Sequence, residues 1–213
     1  MLSLKQKRSE KIFNLALKTA DLIFPYLFRI NISGAFPNKT GPLIVVANHI
    51  SFIDPPLIGY LTCRLSGSRN VYILAKRELF NIHTYYGKFL RAIHAIPLNR
   101  AGMDINAIKR SFNVLDNNGK LIIFPEGTRN KTGKLMKGKP GAGYIALKGG
   151  VNILPVFIHN ADEPVWKIIL GQKKVTVVLG KLIDISGIRV NSRNARKVAQ
   201  IMMNEIGDLK QYV

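Results

Sequence analysis

The sequence predicts an α/β fold with a mostly parallel central sheet flanked by helices. Short, fully apolar and partly β-branched segments recur along the chain, and segments with helical spacing that end at glycine lie between several of them. The chain has 213 residues, of which 47% are apolar, and this is enough for one domain with a full hydrophobic core.

The first predicted element is an N-terminal amphipathic helix, which we assign to a membrane-associating segment over residues 1–33. A basic stretch over residues 5–11 leads into apolar and aromatic residues. Lys18, Asp21 and Arg29 interrupt the apolar sequence, so we expect neither a membrane-spanning helix nor a cleavable signal peptide. Such a helix can lie in the plane of an anionic leaflet or pack on the protein's own core, and the sequence leaves both possibilities open.

The remaining residues, 34–213, are assigned to one domain in which strands and helices alternate. Strands are predicted at Leu43–Ala47, Val71–Ala75, Leu121–Phe124, Ile153–Ile158, Val165–Leu170 and Val175–Leu179. Helices are predicted at Asp104–Leu115, Ala142–Lys148 and, near the end, Ser192–Leu209. The last two strands are separated by the short turn Gly171–Lys174, and we expect them to form a hairpin at one edge of the sheet.

The net charge of +20 requires a polyanionic partner, and half of this excess lies between residues 76 and 148. The usual partners are nucleic acid, an anionic membrane surface or a phosphorylated substrate. Five cations in this region form a run without an acidic residue: Arg129, Lys131, Lys134, Lys137 and Lys139. The sequence contains no recognisable nucleic-acid-binding motif, and its single cysteine, Cys63, excludes an intrachain disulfide framework and a cysteine-based zinc site.

Polar and charged side chains follow several of the predicted strands at the point where each strand ends. They are Asn48 and His49, Lys76, Glu126 and Arg129, and His159. In an open parallel sheet the carboxyl ends of the strands share one edge, where ligands bind. We therefore expect a base and several cations to converge there, as a transferase acting on a phosphorylated substrate would need.

His49 and Asp54 are the candidate catalytic pair. A carboxylate that holds one imidazole nitrogen fixes the tautomer, and the other nitrogen can then take a proton from a substrate hydroxyl. The alternative for Asp54 is structural, because Asp54-Pro55-Pro56 is also a favourable helix start with Asp54 as the N-cap. The sequence leaves both interpretations open.

Four motifs, in order along about residues 42–160, resemble those of the glycerolipid acyltransferases. The residues that carry the resemblance are Asn48–Asp54, Lys76–Leu79 with Gly87 and Ala95–Arg100, Phe124–Arg129, and Leu154–Ile158. The chain departs from the family pattern at His83, where the family usually has Pro, and at His94, where it usually has Gly. We interpret both histidines as structural.

The resemblance implies that a fatty acyl group passes from acyl-CoA or acyl-carrier protein to the sn-2 hydroxyl of lysophosphatidic acid, giving phosphatidic acid without a metal or cofactor. In that reaction His49 is the general base and Asp54 its orienting partner. Arg129 binds the acceptor phosphate, with Lys76 and Arg100 as helpers, because a guanidinium fork matches phosphate oxygens. Substrate-binding or site-organising roles are implied for the residues that precede Arg129 in its motif: Glu126, Gly127 and Thr128.

The resemblance also sets the expected location and the alternatives. We expect a peripheral or monotopic protein on the cytoplasmic face of the cell membrane, with residues 34–213 as the acyltransferase domain. One alternative is the same chemistry on another lysophospholipid or a lyso-ornithine lipid. The other is a nucleic-acid-binding protein, which the charge alone would allow.

Overall fold

The fold is taken from a computed structural model, which describes residues 4–28, 30–37, 40–100, 102, 104–130, 132, 134–170 and 172–213. Arg29, Lys131 and Gly171, which the sequence predictions include, lie outside these residues. The strands are β1 (Asn31–Ser33), β2 (Leu43–Ala47), β3 (Val71–Lys76), β4 (Ala95–Leu98), β5 (Lys120–Ile123), β6 (Ile153–His159) and β7 (Thr176–Leu179). The α-helices are α1 (Leu4–Leu27), α2 (Asp54–Ser66), α3 (Thr84–Ala92), α4 (Ile105–Asp116), α5 (Pro140–Gly149), α6 (Val165–Ile169) and α7 (Ser192–Asp208).

These seven strands form one sheet in the order β1-β7-β6-β2-β5-β3-β4. All neighbouring pairs run parallel except β6 and β7, which are antiparallel. The fold class predicted from the sequence is therefore confirmed. Strand β2 lies in the middle between β6 and β5, so its carboxyl end is flanked by the ends of two parallel neighbours.

The core consists of two apolar layers, one on each face of the sheet. Side chains of β2 alternate between them, because successive residues of a strand point to opposite faces: Ile44 and Val46 belong to one layer, and Val45 and Ala47 to the other. The first layer includes residues of α4, α5 and α7, and the second includes residues of α1 and α2. Buried strands covered on both faces explain why the strand sequences are continuously apolar.

The predicted hairpin between β6 and α7 is wrong. Residues Val165–Ile169 form the short helix α6, and Pro164 precedes it. A short apolar segment is compatible with either a buried strand or a buried helix, so its hydrophobicity alone could not decide. The second predicted strand of the hairpin is present as β7, but it pairs with β6 and with the edge strand β1.

The N-terminal helix α1 packs one face on the domain. Phe13 and Phe24 are buried in the same layer as α2, whereas Leu15 and Leu22 are exposed. Directly after the helix, residues 31–33 pair with β7, so the end of the segment predicted at 1–33 belongs to the sheet. Among the described residues, no helix is both long and apolar enough to span a membrane.

Candidate active site

The candidate site lies at the carboxyl edge of the parallel strands. His49 follows β2, and the segment that contains Glu126 and Arg129 follows β5, which pairs directly with β2. Lys76 ends β3, two strands from β2, and Arg100 follows β4, three strands from β2. With about 4.8 Å between neighbouring strands, these two strand ends lie about 10 and 14 Å from the end of β2.

His49 and Asp54 form a hydrogen-bonded pair. The Nδ1 atom of His49 lies 2.9 Å from Oδ2 of Asp54, and the His49 side chain is 12% exposed while that of Asp54 is fully buried. The imidazole also stacks on the Phe124 ring, with a centroid distance of 4.5 Å. Because Nδ1 is held by the carboxylate, Nε2 is the ring nitrogen left for a substrate.

The Asp54 carboxylate also organises its own loop. Its Oδ2 atom accepts hydrogen bonds from the backbone N–H groups of Ile50 at 2.6 Å and Ser51 at 2.7 Å. Helix α2 begins at Asp54, but its N-cap is Ile53 and no side chain makes a capping bond. The helix-cap alternative for Asp54 is therefore not realised, since the carboxylate faces back onto the loop that carries His49.

Glu126 holds the main chain of His49. This fully buried carboxylate accepts the His49 backbone N–H at 2.9 Å, and its other oxygen accepts from Asn130 Nδ2 and from the Met136 N–H, both at 3.2 Å. The Asn130 N–H in turn donates to the His49 carbonyl at 2.6 Å. Both peptide groups of His49 are thus held by the loop that follows β5, and both carboxylate oxygens of Glu126 accept hydrogen bonds from within the protein.

Asn48 fixes the start of the same loop to the neighbouring strand. Its side chain donates from Nδ2 to the Ile158 carbonyl at 2.9 Å and accepts the Ile158 N–H at Oδ1 at 2.7 Å. The side chain is buried, and the sequence predictions gave it no role. The signal that could have identified it is a polar residue at the end of a fully apolar strand.

Arg129 stacks on an aromatic side chain of the loop that contains His49. Its guanidinium carbon lies 3.3 Å from the centroid of the Phe52 ring, which belongs to the His49 loop and is 73% exposed. The contact is a cation–π interaction, and it joins the loop after β5 to the loop after β2. Phe52 was missed by the sequence predictions, because a single exposed aromatic residue in a loop has no pattern that points to its partner.

The other predicted phosphate ligands are exposed. Lys76 lies 3.6 Å from the Glu78 carboxylate, and Arg100 is exposed after β4. Neither is in the loops that surround His49. The geometry thus brings Arg129 next to the His49–Asp54 pair and leaves Lys76 and Arg100 further along the same edge.

Gly127 and Thr128 form the turn between Glu126 and Arg129. Gly127 has φ of +68°, and its N–H donates to the Phe124 carbonyl at 3.0 Å. Because this φ lies in the left-handed region, glycine meets the backbone requirement of the turn. Thr128 is exposed at the tip of the turn.

The two unusual histidines are placed outside this site. His83 precedes α3 and accepts the Tyr85 N–H at 3.3 Å. His94 has φ of +64°, and its ring is stacked between Phe13 and Tyr72 at centroid distances of 4.4 and 4.6 Å. Burial lowers the pKa of the His94 imidazole, against smaller raising effects of nearby backbone groups and Glu10. The packing of His94 agrees with the structural role that we expected, whereas His83 is exposed.

Cys63 is buried in α2. Burial raises the pKa of its thiol to about 12, which keeps the thiol protonated and unreactive at neutral pH. It is therefore not a candidate nucleophile.

The chain matches a protein family, curated relatives and a solved structure. A family model described as acyltransferase matches residues 29–159. The chain is similar to a chloroplastic 1-acyl-sn-glycerol-3-phosphate acyltransferase of Arabidopsis thaliana, with 30% identity over 84% of this chain and 51% of the relative. It is also similar to the 1-acyl-sn-glycerol-3-phosphate acyltransferase of Streptococcus pneumoniae, with 30% identity over 82% of this chain and 63% of the relative. The chain thus spans between half and two thirds of the length of these relatives.

Among solved structures, the chain is similar to the 1-acyl-sn-glycerophosphate acyltransferase PlsC from Thermotoga maritima. The TM-score is 0.68 at 26% sequence identity, and the match covers 100% of this chain and 84% of that chain.

Proposed function

The chain belongs to the acyltransferase family, and we propose that it transfers a fatty acyl group from an acyl thioester to the sn-2 hydroxyl of lysophosphatidic acid, giving phosphatidic acid. The observation that carries the proposal is the His49–Asp54 pair at the carboxyl edge of the sheet, with Arg129 beside it. The relatives named as 1-acyl-sn-glycerol-3-phosphate acyltransferases support the choice of acceptor.

In the proposed reaction His49 is the general base. Its Nε2 atom takes the proton from the acceptor hydroxyl as the oxygen attacks the thioester carbonyl carbon. The tetrahedral intermediate collapses with cleavage of the carbon–sulfur bond, and the imidazolium returns the proton to the departing thiolate. The acyl group passes directly to the acceptor, so no covalent acyl-enzyme is required.

Asp54 keeps His49 in the productive state. Its carboxylate, 2.9 Å from Nδ1, favours the tautomer with the proton on Nδ1 and leaves the lone pair of Nε2 for the substrate. The same negative charge stabilises the imidazolium that forms during attack. Since Asp54 is fully buried, solvent does not screen this interaction strongly.

Arg129 binds the acceptor phosphate in this proposal. A guanidinium offers two parallel N–H donors to phosphate oxygens, and stacking on Phe52 leaves its edge free for them. Lys76 and Arg100 strengthen the positive field along the edge, which attracts the acceptor and the anionic donor. Gly127 and Thr128 shape the turn that presents Arg129.

We propose peripheral attachment to the cytoplasmic face of the cell membrane through α1. Its outward face combines Leu15 and Leu22 with the cations Arg8, Lys11 and Lys18, all outside the buried face that contacts the core. Such a helix lies in the interface of an anionic leaflet. The lysolipid acceptor is a membrane component, so this location brings the enzyme to its substrate.

An acyl-transfer assay tests the proposal. The purified protein is incubated with lysophosphatidic acid and either acyl-CoA or acyl-carrier protein as donor, and phosphatidic acid is quantified. We expect turnover with lysophosphatidic acid, and the better donor identifies the natural class. Absence of product with both donors would overturn the proposal.

A panel of acceptors in the same assay separates the alternatives. A zwitterionic lysophospholipid and a lyso-ornithine lipid lack a terminal phosphate monoester, so they should be poorer acceptors if Arg129 binds that group. Equal turnover of all acceptors would instead assign a broader lysolipid specificity. Tight binding of duplex DNA at physiological salt, together with no acyl transfer, would favour the nucleic-acid alternative.

A further inference from the structure

Helix α3 presents an apolar, mostly aromatic face to solvent. Ile82, just before the helix, is 69% exposed and Tyr85 is 75% exposed, and Tyr86 and Phe89 are also exposed. The spacing of three or four residues places Phe89 on the same side of the helix as Tyr85 and Tyr86, and Ile82 adds an exposed apolar side chain just before the helix. A contiguous apolar face of this kind on a protein surface marks an interaction site.

The packing of α3 fixes this face outward. Gly87 lies against the Phe80 carbonyl so closely that a Cβ there would be 2.2 Å from the carbonyl oxygen. Leu90 is buried on the same inward side, in a small cluster with Phe80. The helix therefore cannot rotate to bury Tyr85 without opening the contact at Gly87.

The charges on this helix have one sign. Lys88 lies over the Tyr85 ring at 5.6 Å, and Arg91 lies over the Phe80 ring at 5.2 Å. The sequence has no Asp or Glu between residues 79 and 103. Aromatic side chains flanked only by cations match the boundary between the headgroups and acyl chains of an anionic leaflet.

The position of α3 connects the site with α1. The helix follows the carboxyl end of β3, so Ile82 and Tyr85 lie toward the edge that carries His49. Toward its other end, α3 contacts α1, and Phe13 of α1 stacks on His94 just beyond α3. Helix α1, which α3 contacts, has its buried residues in the same layer as those of α2.

We propose that the α3 face, defined as Ile82, Tyr85, Tyr86 and Phe89 with Lys88 and Arg91, binds an anionic lipid bilayer as a second contact beside α1. This proposal rests on the proposed function, because it assumes that a lipid acceptor reaches His49 from a membrane. Together with α1, this contact holds the carboxyl edge of the sheet at the leaflet surface. The α1 contact alone does not define that orientation. A tyrosine-rich face suits this interface, since each ring has an apolar body and a polar tip.

The test is flotation of the full-length protein with vesicles of phosphatidylcholine containing phosphatidylglycerol. The triple variant Ile82→Ser/Tyr85→Ser/Phe89→Ser removes the apolar face without touching a buried side chain. We expect its partition coefficient to fall by about tenfold or more, since burial of even one such side chain contributes about this factor. The matched control is Val190→Ser/Tyr212→Ser, which removes exposed residues at the ends of α7 on the other face of the sheet, and it should bind like the wild type.

The charges are tested separately with Lys88→Gln/Arg91→Gln. We expect weaker binding to the phosphatidylglycerol vesicles and unchanged binding to pure phosphatidylcholine vesicles, because only the electrostatic attraction is removed. Far-UV circular dichroism and the unfolding midpoint of each variant establish that the fold is retained.

Unchanged flotation of the folded triple variant would overturn the proposal. If the variant floats normally but no longer binds an acidic acyl-carrier protein, the face is a carrier-protein site instead. If the substitutions change only the oligomeric state, the occupant of the face is a second copy of the chain.

The wild type tells a failure of the proposed function apart from a failure of the membrane contact. If only the proposed function is wrong, the wild type still floats with vesicles but forms no product from water-dispersed, short-chain lysophosphatidic acid. On that dispersed acceptor the triple variant should retain wild-type turnover.

Discussion

The two loops at the carboxyl edge of the sheet each contain a fully buried carboxylate, but the carboxylates act on different parts of His49. In the loop after β2, Asp54 binds the imidazole side chain. In the loop after β5, Glu126 binds the backbone N–H of the same residue, and Asn130 binds its carbonyl. One loop therefore carries the proposed general base, and the other fixes the main chain from which its imidazole projects.

The two carboxylates therefore differ in what they affect, which is the electrostatics of the His49 imidazole for one and its position for the other. A change at Asp54 alters the electrostatics of the imidazole, whereas a change at Glu126 alters where the imidazole stands. Phe52 and Arg129 join the loops, so the proposed phosphate ligand Arg129 is held by residues of both. The following predictions test this division, beginning with the largest expected effect.

Replacement of His49 by alanine should abolish the chemistry of the first loop. We expect kcat to fall by at least about 10²- to 10⁴-fold, because no other base lies at this position. The measurement is steady-state acyl transfer with lysophosphatidic acid. His159→Ala, at the end of the neighbouring strand β6, is the control and should retain most activity. Near-normal turnover of folded His49→Ala would remove His49 from the mechanism.

Converting each buried carboxylate to its amide compares the loops directly. Asp54→Asn keeps an oxygen acceptor for the loop but loses the charge that stabilises the imidazolium, so we expect kcat to fall on the order of 10²-fold with a smaller loss of stability. Glu126→Gln turns an NH₂ group toward donors such as Asn130 and Met136, so its main effect should be a loss of about 1–3 kcal/mol in the free energy of unfolding. Kinetics and urea unfolding of both variants provide the comparison. The opposite ranking of the two variants would reverse the assigned roles.

Replacement of Arg129 by alanine should weaken acceptor binding. Loss of a charge-assisted hydrogen bond to phosphate corresponds to about 1.5–3 kcal/mol, or roughly 10- to 150-fold in kcat/KM for lysophosphatidic acid. The effect should be much smaller for a monoacylglycerol acceptor, which has no phosphate. Lys134→Ala, an exposed cation of the same loop, is the control. An equal loss for both acceptors would show that Arg129 acts on something other than the phosphate.

Phe52→Ala should weaken the link between the loops. We expect KM for lysophosphatidic acid to rise about two- to fivefold with little change in kcat, since an exposed cation–π contact contributes about 0.5–1 kcal/mol. Phe52→Trp retains the ring and should restore the wild-type KM. If Phe52→Ala lowers kcat alone, the ring acts on His49 and not through Arg129.

The smallest expected effect on turnover lies outside both loops, at His94, where the change concerns stability rather than rate. Burial lowers the pKa of this imidazole in the folded protein, so the unfolded chain takes up the proton first as the pH falls. Its contribution to the free energy of unfolding is therefore fully present above the unfolded pKa of about 6.5 and decreases below it. His94→Asn tolerates the positive φ and should remove this pH dependence, at a cost of about 0.5–1.5 kcal/mol for each lost ring contact.

Urea unfolding at pH 7.5 and pH 5.5 measures the difference. His83→Gln, which changes an exposed histidine, should keep the wild-type pH dependence. An unaltered pH dependence in His94→Asn would assign the effect to other groups.

The sequence predicted the central part of the fold because the buried parallel strands are continuously apolar. It failed at the sheet edges. The edge strand Asn31–Ser33 is short and mostly exposed, and Ala95–Leu98 contains a proline, so neither has the composition of a buried strand. The segment Val165–Ile169 is apolar in either conformation, and only its packing decides that it is helical.

The candidate site was predictable where residue type alone indicates chemistry. His49, Asp54 and Arg129 could be proposed from their positions after strands. The contacts of Glu126 and Asn48 could not, because each side chain bonds a backbone group far away in sequence, and backbone groups carry no sequence signal. Which alternative holds for Asp54 also depended on the direction of its carboxylate, which is a property of the folded loop.

Asn48 acts as a substitute peptide group. Its amide donates to and accepts from the main chain of one residue, Ile158, as a neighbouring strand would, and so adds one rung to the β2–β6 ladder after the backbone of β2 has turned away. On a single methylene, asparagine carries an N–H donor and a carbonyl acceptor on separate atoms, so it can bond the N–H and the C=O of one residue at the same time. Aspartate is nearly the same size but would face the Ile158 carbonyl with a second acceptor. The residue at position 48 is thus restricted by its hydrogen-bond donor and acceptor as well as by its volume.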